Sequence, residues 1–161
     1  MTTVALNIVD RVTVRFVDSS KPAPTIEPVT KQAAPRPPDW ERLVPVSKSN
    51  DDKRLIYAVV MEPDTVDKHG DFIRKEEIEA AAHRYNIASR VVGKDHQSVA
   101  KGVSVAESYV CPVDCQIGGD AVKAGSWVVV FKVFDDDIWA NRENITGVSF
   151  GGWCEKVEAE V

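Results

Sequence analysis

Three side chains in this sequence could together cleave an acyl bond: Ser149, His96 and Glu107. Ser149 sits inside ITGVSFGGW, residues 145–153, a run that reads like a strand entering a core. A serine hydroxyl is a weak nucleophile until an adjacent base takes its proton. Gly151 and Gly152 follow it at once. Missing side chains there let a substrate backbone come close, or leave backbone N–H groups for an oxyanion. Gly147 to Gly151 fits G-x-S-x-G as bare spacing, but a strand-like run replaces the strand-to-helix elbow of the α/β-hydrolases. The alternative is structural: a strand serine bonded to neighbouring backbone, which avoids the roughly 1–3 kcal/mol cost of an unpaired buried hydroxyl.

A base must come from elsewhere in the chain. His96, in GKDHQSVAKGV, lies between short strands, where an imidazole can act as a general base or simply face solvent. His83 falls within an alanine-rich helical stretch, beside Ala80, Ala81 and Ala82, and reads as a packing residue. His69 occupies a polar turn with Asp64, Asp67 and Asp71 nearby. That loop fails the calcium template, because Val66 and Lys68 fall on ligand positions. Glu107 interrupts the apolar run VSVAESYV. It could orient a histidine by accepting its second N–H, or face outward as alternation along a strand would have it. Cys111, Cys115 and Cys154 are an odd count, which fits reduced thiols. A zinc site built from them and a histidine would depart from the usual loop spacings, so no metal and no cofactor is expected.

These residues need a scaffold, and 161 residues can bury one core. The hydrophobic fraction of 43% and charged fraction of 28% are those of a soluble globular chain. A net charge of −5 argues against a non-specific nucleic-acid binder. No apolar run approaches the ~20 residues of a membrane span. Asp10 and Arg11 interrupt the N-terminal stretch where a signal peptide needs an apolar core, so a cytosolic protein is expected.

RLIYAVVME (54–62), VAKGVSVAESYV (99–110) and SWVVVFKVF (126–134) read as strands. RKEEIEAAAHRYNIA (74–88) is the best helix, with Ile78, Ala81, Ala82 and Tyr85 on one face. DDDIWANRE begins with acids that can cap a short helix, and CQIGGDAVKAG carries a Gly-Gly turn. Seven of the nine prolines fall between Pro22 and Pro45, a linker signature incompatible with a helix or a central strand. Before it, VTVRFV (12–17) alternates like one strand, which cannot stand alone in water. The expected organisation is an N-terminal strand (1–20), a proline-rich linker (21–48) and a main domain (49–161). The fold class is α+β: a small closed or curled β-barrel with flanking helices, and the N-terminal strand must pair with something beyond the linker or with another chain.

An ordered set of motifs then carries a resemblance. Y-x-V-V-x-E-P-D with D-x-x-G-D, A-A-H-R-Y, the histidine of KDHQS, E-S-Y-V-x-P-V-D, the I-G-G turn, K-x-G-S-W-V, D-D-x-x-W and T-G-x-S-x-G-G run from about Leu55 to Gly152. Together they resemble the XkdF-like serine proteases of tailed phages and prophages. That family is related to the prohead proteases and, more distantly, to herpesvirus assemblin. The resemblance implies an assemblin-like barrel, circularly permuted if VTVRFV supplies the strand that relatives place after the serine. It implies Ser149 as nucleophile and His96 as general base. The third member of the site is open between Glu107 and no acid at all. Phage scaffold and major capsid protein are the implied substrates, with self-cleavage and a homodimer among the implications. The implied setting is the host cytoplasm, inside the assembling prohead. A protease-like assembly protein without catalysis is the rival implication.

Overall fold

The computed structural model describes residues 4–18, 40–66, 71–88, 92–93 and 102–158. Its most buried strand is β10, Trp127–Val133, preceded in the chain by β4, Leu55–Met61, and β7, Val103–Val110. In WVVVFKV every residue but Lys132 is buried, so the strand needs cover on both faces. The valines suit this role, since β-branched side chains pack well on a pleated surface. β10 lies between β4 and β7, antiparallel to both, and β3, Lys48–Asn50, extends the sheet beyond β4.

The two faces of β10 feed two apolar clusters. Trp127, Val129, Phe131 and Val133 enter the main core, while Val128 and Val130 meet Cys111, Ile117 and Val122. Those last residues flank and form a small hairpin of β8, Cys115–Ile117, and β9, Asp120–Val122. Its turn is Gly118-Gly119, with Gly118 at φ 64°, a left-handed conformation that glycine adopts without a Cβ clash.

Helix α1, Lys75–Ala88, buries Ile78, Ala81, Ala82 and Tyr85, the stripe its sequence predicts. Glu76 and Glu77 lie in its first turn, where the helix dipole favours anions. α2, Asp136–Ala140, is capped by Asp135, whose Oδ1 accepts from Ile138 N–H at 2.8 Å.

The second sheet is built from distant parts of the chain. β11, Ile145–Glu158, pairs antiparallel with β1, Val4–Asp18, on one side and with β2, Trp40–Pro45, on the other. β5, Asp71–Phe72, and β6, Val92–Gly93, both run parallel to β1. VTVRFV is therefore not isolated; it belongs to a long strand paired across the linker. The proline-rich region ends in β2, an edge strand, where Pro45 removes no ladder bond from a sheet interior. Residues 21–39 of the expected linker, and 19–20 before it, lie outside the described residues.

The architecture is mostly β with two short-to-medium helices, in keeping with an α+β class. A closed or curled barrel was expected; among the described residues no closed barrel is found, and the ladders form two larger sheets, β3-β4-β10-β7 and β2-β11-β1-β5 with β6 also on β1, besides the β8-β9 hairpin. Helix α1 packs against β1, β7 and β10, so a helix, not a further ladder, spans the sheets there.

Trp127 ties the parts together. Its ring meets Tyr85 of α1 edge-on at 5.3 Å and Phe150 of β11 at 6.0 Å. Its indole N–H donates to Ser108 Oγ of β7 at 2.9 Å. Phe150→Ala should cost about 3–5 kcal/mol, the range for emptying a buried aromatic site. Urea denaturation measures it; a loss below about 1 kcal/mol would mean that this contact does not hold the two sheets together.

Candidate active site

Ser149 is held by an ordinary strand. Between Gly147 and Gly152 the register of β11 with β1 and β2 runs without a shift, so side chains alternate faces regularly. Val148 and Phe150 are fully buried in the main core. Ser149 therefore lies on the opposite face of the sheet, between Gly147 and Gly151 on the same face. Those glycines remove the two side chains that would crowd the hydroxyl along its own strand. Ser149 is nonetheless only 3% exposed.

The ladder also sets what stands across from it. Ser149 pairs with Leu43 on β2 and with Arg15 on β1, and Arg15 in turn pairs with Gly93 on β6. At about 4.8 Å per strand, the Gly93 backbone lies roughly 10 Å from that of Ser149 along this row. The N-terminal strand carries two acids, Asp10 and Asp18. The register pairs Asp18 with Ile145, leaves Asp10 within an irregular stretch between Ile8 and Val12, and sets a cationic residue opposite the serine. No local signal could have found Arg15, because its position depends on pairing with a strand at the other end of the chain.

Backbone geometry restricts the oxyanion site. β11 is flanked by partners on both sides across Gly151 and Gly152. Backbone N–H groups of a paired strand point along the sheet toward its neighbours. Donors for an oxyanion beside Ser149 must then come from a loop and not from these two glycines.

Glu107 is exposed on β7 and pairs with Val130 of β10, which in turn pairs with Tyr57. That row carries the second apolar cluster and not the one that holds Val148 and Phe150. Among the described residues, no hydrogen bond or ion pair engages the Glu107 carboxylate. Its electrostatic neighbour is Tyr109, whose phenol is pushed above its ordinary value of 10.0 by burial first, then by Cys111 and Glu107. No ladder joins β7 to β11 among the described residues.

His96, His69 and Asp67 lie outside the described residues. His83 is exposed on α1, which corrects its reading as a packing residue: the helix buries Ala82 and Tyr85 beside it instead. Among the described residues no group of three His, Cys, Asp or Glu side chains could hold a metal ion. No described helix is long and apolar enough to cross a membrane. A cleft of about 340 Å³ opens beside the start of β11, lined by Val46, Ile56, Arg142 and Ile145 among others. Arg142 pairs there with Asp51 at 3.2 Å and stacks over Trp139 at 4.7 Å. Ile145 is four residues from Ser149, about 13 Å along a strand, so this cleft is too distant to hold a group bonded to the attacked carbonyl.

Comparison with known proteins adds to this geometry. Residues 43–158 match the family described as "Putative phage serine protease XkdF". The chain is 40% identical over 126 residues to "Uncharacterized protein YqbD" of Bacillus subtilis, covering 76% of this chain and 39% of that protein. It is 38% identical over 135 residues to "Phage-like element PBSX protein XkdF" of the same organism, covering 81% of this chain and 48% of that protein. The chain thus spans less than half the length of either curated relative. No solved structure matches.

Glu107→Gln should leave stability within about 0.5 kcal/mol of wild type, as for an exposed group without partners. Thermal melting checks this, and a loss above about 2 kcal/mol would show that the carboxylate has a structural partner.

Proposed function

This chain belongs to the phage serine protease XkdF family, and from that membership we propose that it is a serine endopeptidase of phage maturation. The observation that carries the reading is the surroundings of Ser149: a hydroxyl on the face turned away from the core, with Gly147 and Gly151 beside it on that face. Structural needs alone do not call for glycine at both neighbouring positions of a paired strand, where glycine is destabilising.

In the proposed mechanism His96 takes the proton of Ser149 as its Oγ attacks a peptide carbonyl. The tetrahedral intermediate collapses, His96 protonates the leaving amine, and an acyl-enzyme remains. Water, deprotonated by the same imidazole, then releases the acid and restores the serine. The chain leaves β6 at Gly93, three residues before His96, and three residues span at most about 11 Å. The row from Ser149 through Arg15 to Gly93 is therefore compatible in length with an imidazole reaching the serine. With Glu107 on a different ladder, the proposal is a Ser149–His96 dyad and not a triad through that carboxylate.

The substrates proposed are the scaffold and major capsid proteins of the phage, cut inside an assembling prohead in the host cytoplasm. Self-cleavage is proposed in the proline-rich segment before β2. The kinship to prohead proteases and assemblin, the permutation and a homodimer belong to the same proposal. One observation favours the rival, a protease-like assembly protein without catalysis: β11 is paired on both sides across Gly151 and Gly152, which turns their backbone groups to neighbouring strands.

Co-expression with the phage's scaffold and capsid proteins separates the two. The wild type is expected to process them, Ser149→Ala to leave them intact, and His96→Ala to slow processing by about 10²–10⁴-fold, the usual worth of a general base. Equal processing by all three would refute the assignment. Capsid assembly without any cleavage by the wild type would establish the rival.

A further inference from the structure

The serine chemistry leaves two thiols unused. Cys111 Sγ and Cys115 Sγ lie 3.7 Å apart across the turn Pro112-Val113-Asp114. Cys111 is buried beneath the β8–β9 hairpin, in one cluster with Ile117 and Val122, and Cys115 is exposed.

Both ends of this turn are anchored to the same short segment. Cys111 N–H donates to Ser126 O at 2.8 Å, and Gly125 N–H donates to Cys111 O at 2.7 Å. Ala124 N–H donates to Asp114 Oδ1 at 2.8 Å, and Cys115 pairs with Val122 in the hairpin. The two sulfurs therefore cannot move far apart without breaking these bonds. A disulfide needs an S–S distance near 2.05 Å, so the gap must close by about 1.7 Å. Rotation about χ1 of the exposed Cys115 can supply most of that movement.

We propose that Cys111 and Cys115 form a reversible oxidation site, closing to an intramolecular disulfide by exchange with a low-molecular-weight disulfide. The Cys115 thiolate attacks one sulfur of the reagent, forms a mixed disulfide and expels one reagent thiolate. The Cys111 thiolate then attacks the Cys115 sulfur and expels the second. Two protein thiols are oxidised, one reagent disulfide is reduced to two thiols, and the two protons pass to those thiols. Exposure makes Cys115 the entry sulfur. Burial, then the adjacent Cys115, push Cys111 from 9.0 up to about 11, which keeps it protonated and leaves the first attack to Cys115. The closed bond would tie the hairpin to the end of β7.

The test treats the full-length protein with oxidised glutathione and follows intact mass and non-reducing peptide maps. The wild type should lose two hydrogen masses, yield a peptide linking Cys111 to Cys115, and regain its mass in dithiothreitol. Cys111→Ser should stop at a glutathione adduct on Cys115, and Cys154→Ser should behave as the wild type. A wild type that stops at the adduct, or that links either thiol to Cys154, would overturn the proposal. The wild-type map decides the matter even where a cysteine variant fails to fold.

Discussion

The contact on which the rest depends is Phe150 of β11 against Trp127 of β10, at 6.0 Å and an interplanar angle of 62°. It joins two sheets that share no ladder among the described residues. Edge-to-face aromatic contacts of this kind add to the burial of large apolar surfaces. Because side chains on a strand alternate, seating Phe150 and Val148 in the core commits Ser149 to the other face. A one-residue slip of β11 would bury the hydroxyl in the apolar core and expose Phe150. Core packing and the position of the candidate nucleophile are thus one constraint.

Much of the fold was legible because it is local. The stripe Ile78, Ala81, Ala82 and Tyr85 marked α1, and the valine-rich run marked β10 as a strand. Asp135 marked the start of α2, and Gly118-Gly119 the hairpin turn. What was not legible depends on partners far along the chain. β2, β5 and β6 are short and carry little periodicity of their own; they are strands because β11 and β1 offer them ladders. The continuation of β11 to Glu158 follows from its pairing with β1. Whether the strands close or only curl was not legible, because their pattern does not reveal that α1 packs across β1, β7 and β10.

The site divides in the same way. The type and face of Ser149 could be read from ITGVSFGGW, since apolar and small residues alternate there. Its neighbours could not. Glu107 looked like an orienting acid because it interrupts an apolar strand; there β7 breaks its register with β10 between Val105 and Glu107, and the carboxylate is exposed, which no local pattern announced. The glycines after the serine looked like oxyanion donors, yet their backbone lies in a strand paired on both sides. Arg15, opposite Ser149, came from no motif at all. A strand-borne serine of this kind must draw both its base and its oxyanion donors from loops above the sheet.

Labelling with a fluorophosphonate tests the central claim most directly, because the reagent bonds to a serine only when a neighbouring base activates it. The account predicts one adduct per chain, mapped to Ser149, formed faster as pH rises through the imidazole's titration and abolished in His96→Ala. A folded protein that takes no label at Ser149, or takes it equally without His96, would contradict the account.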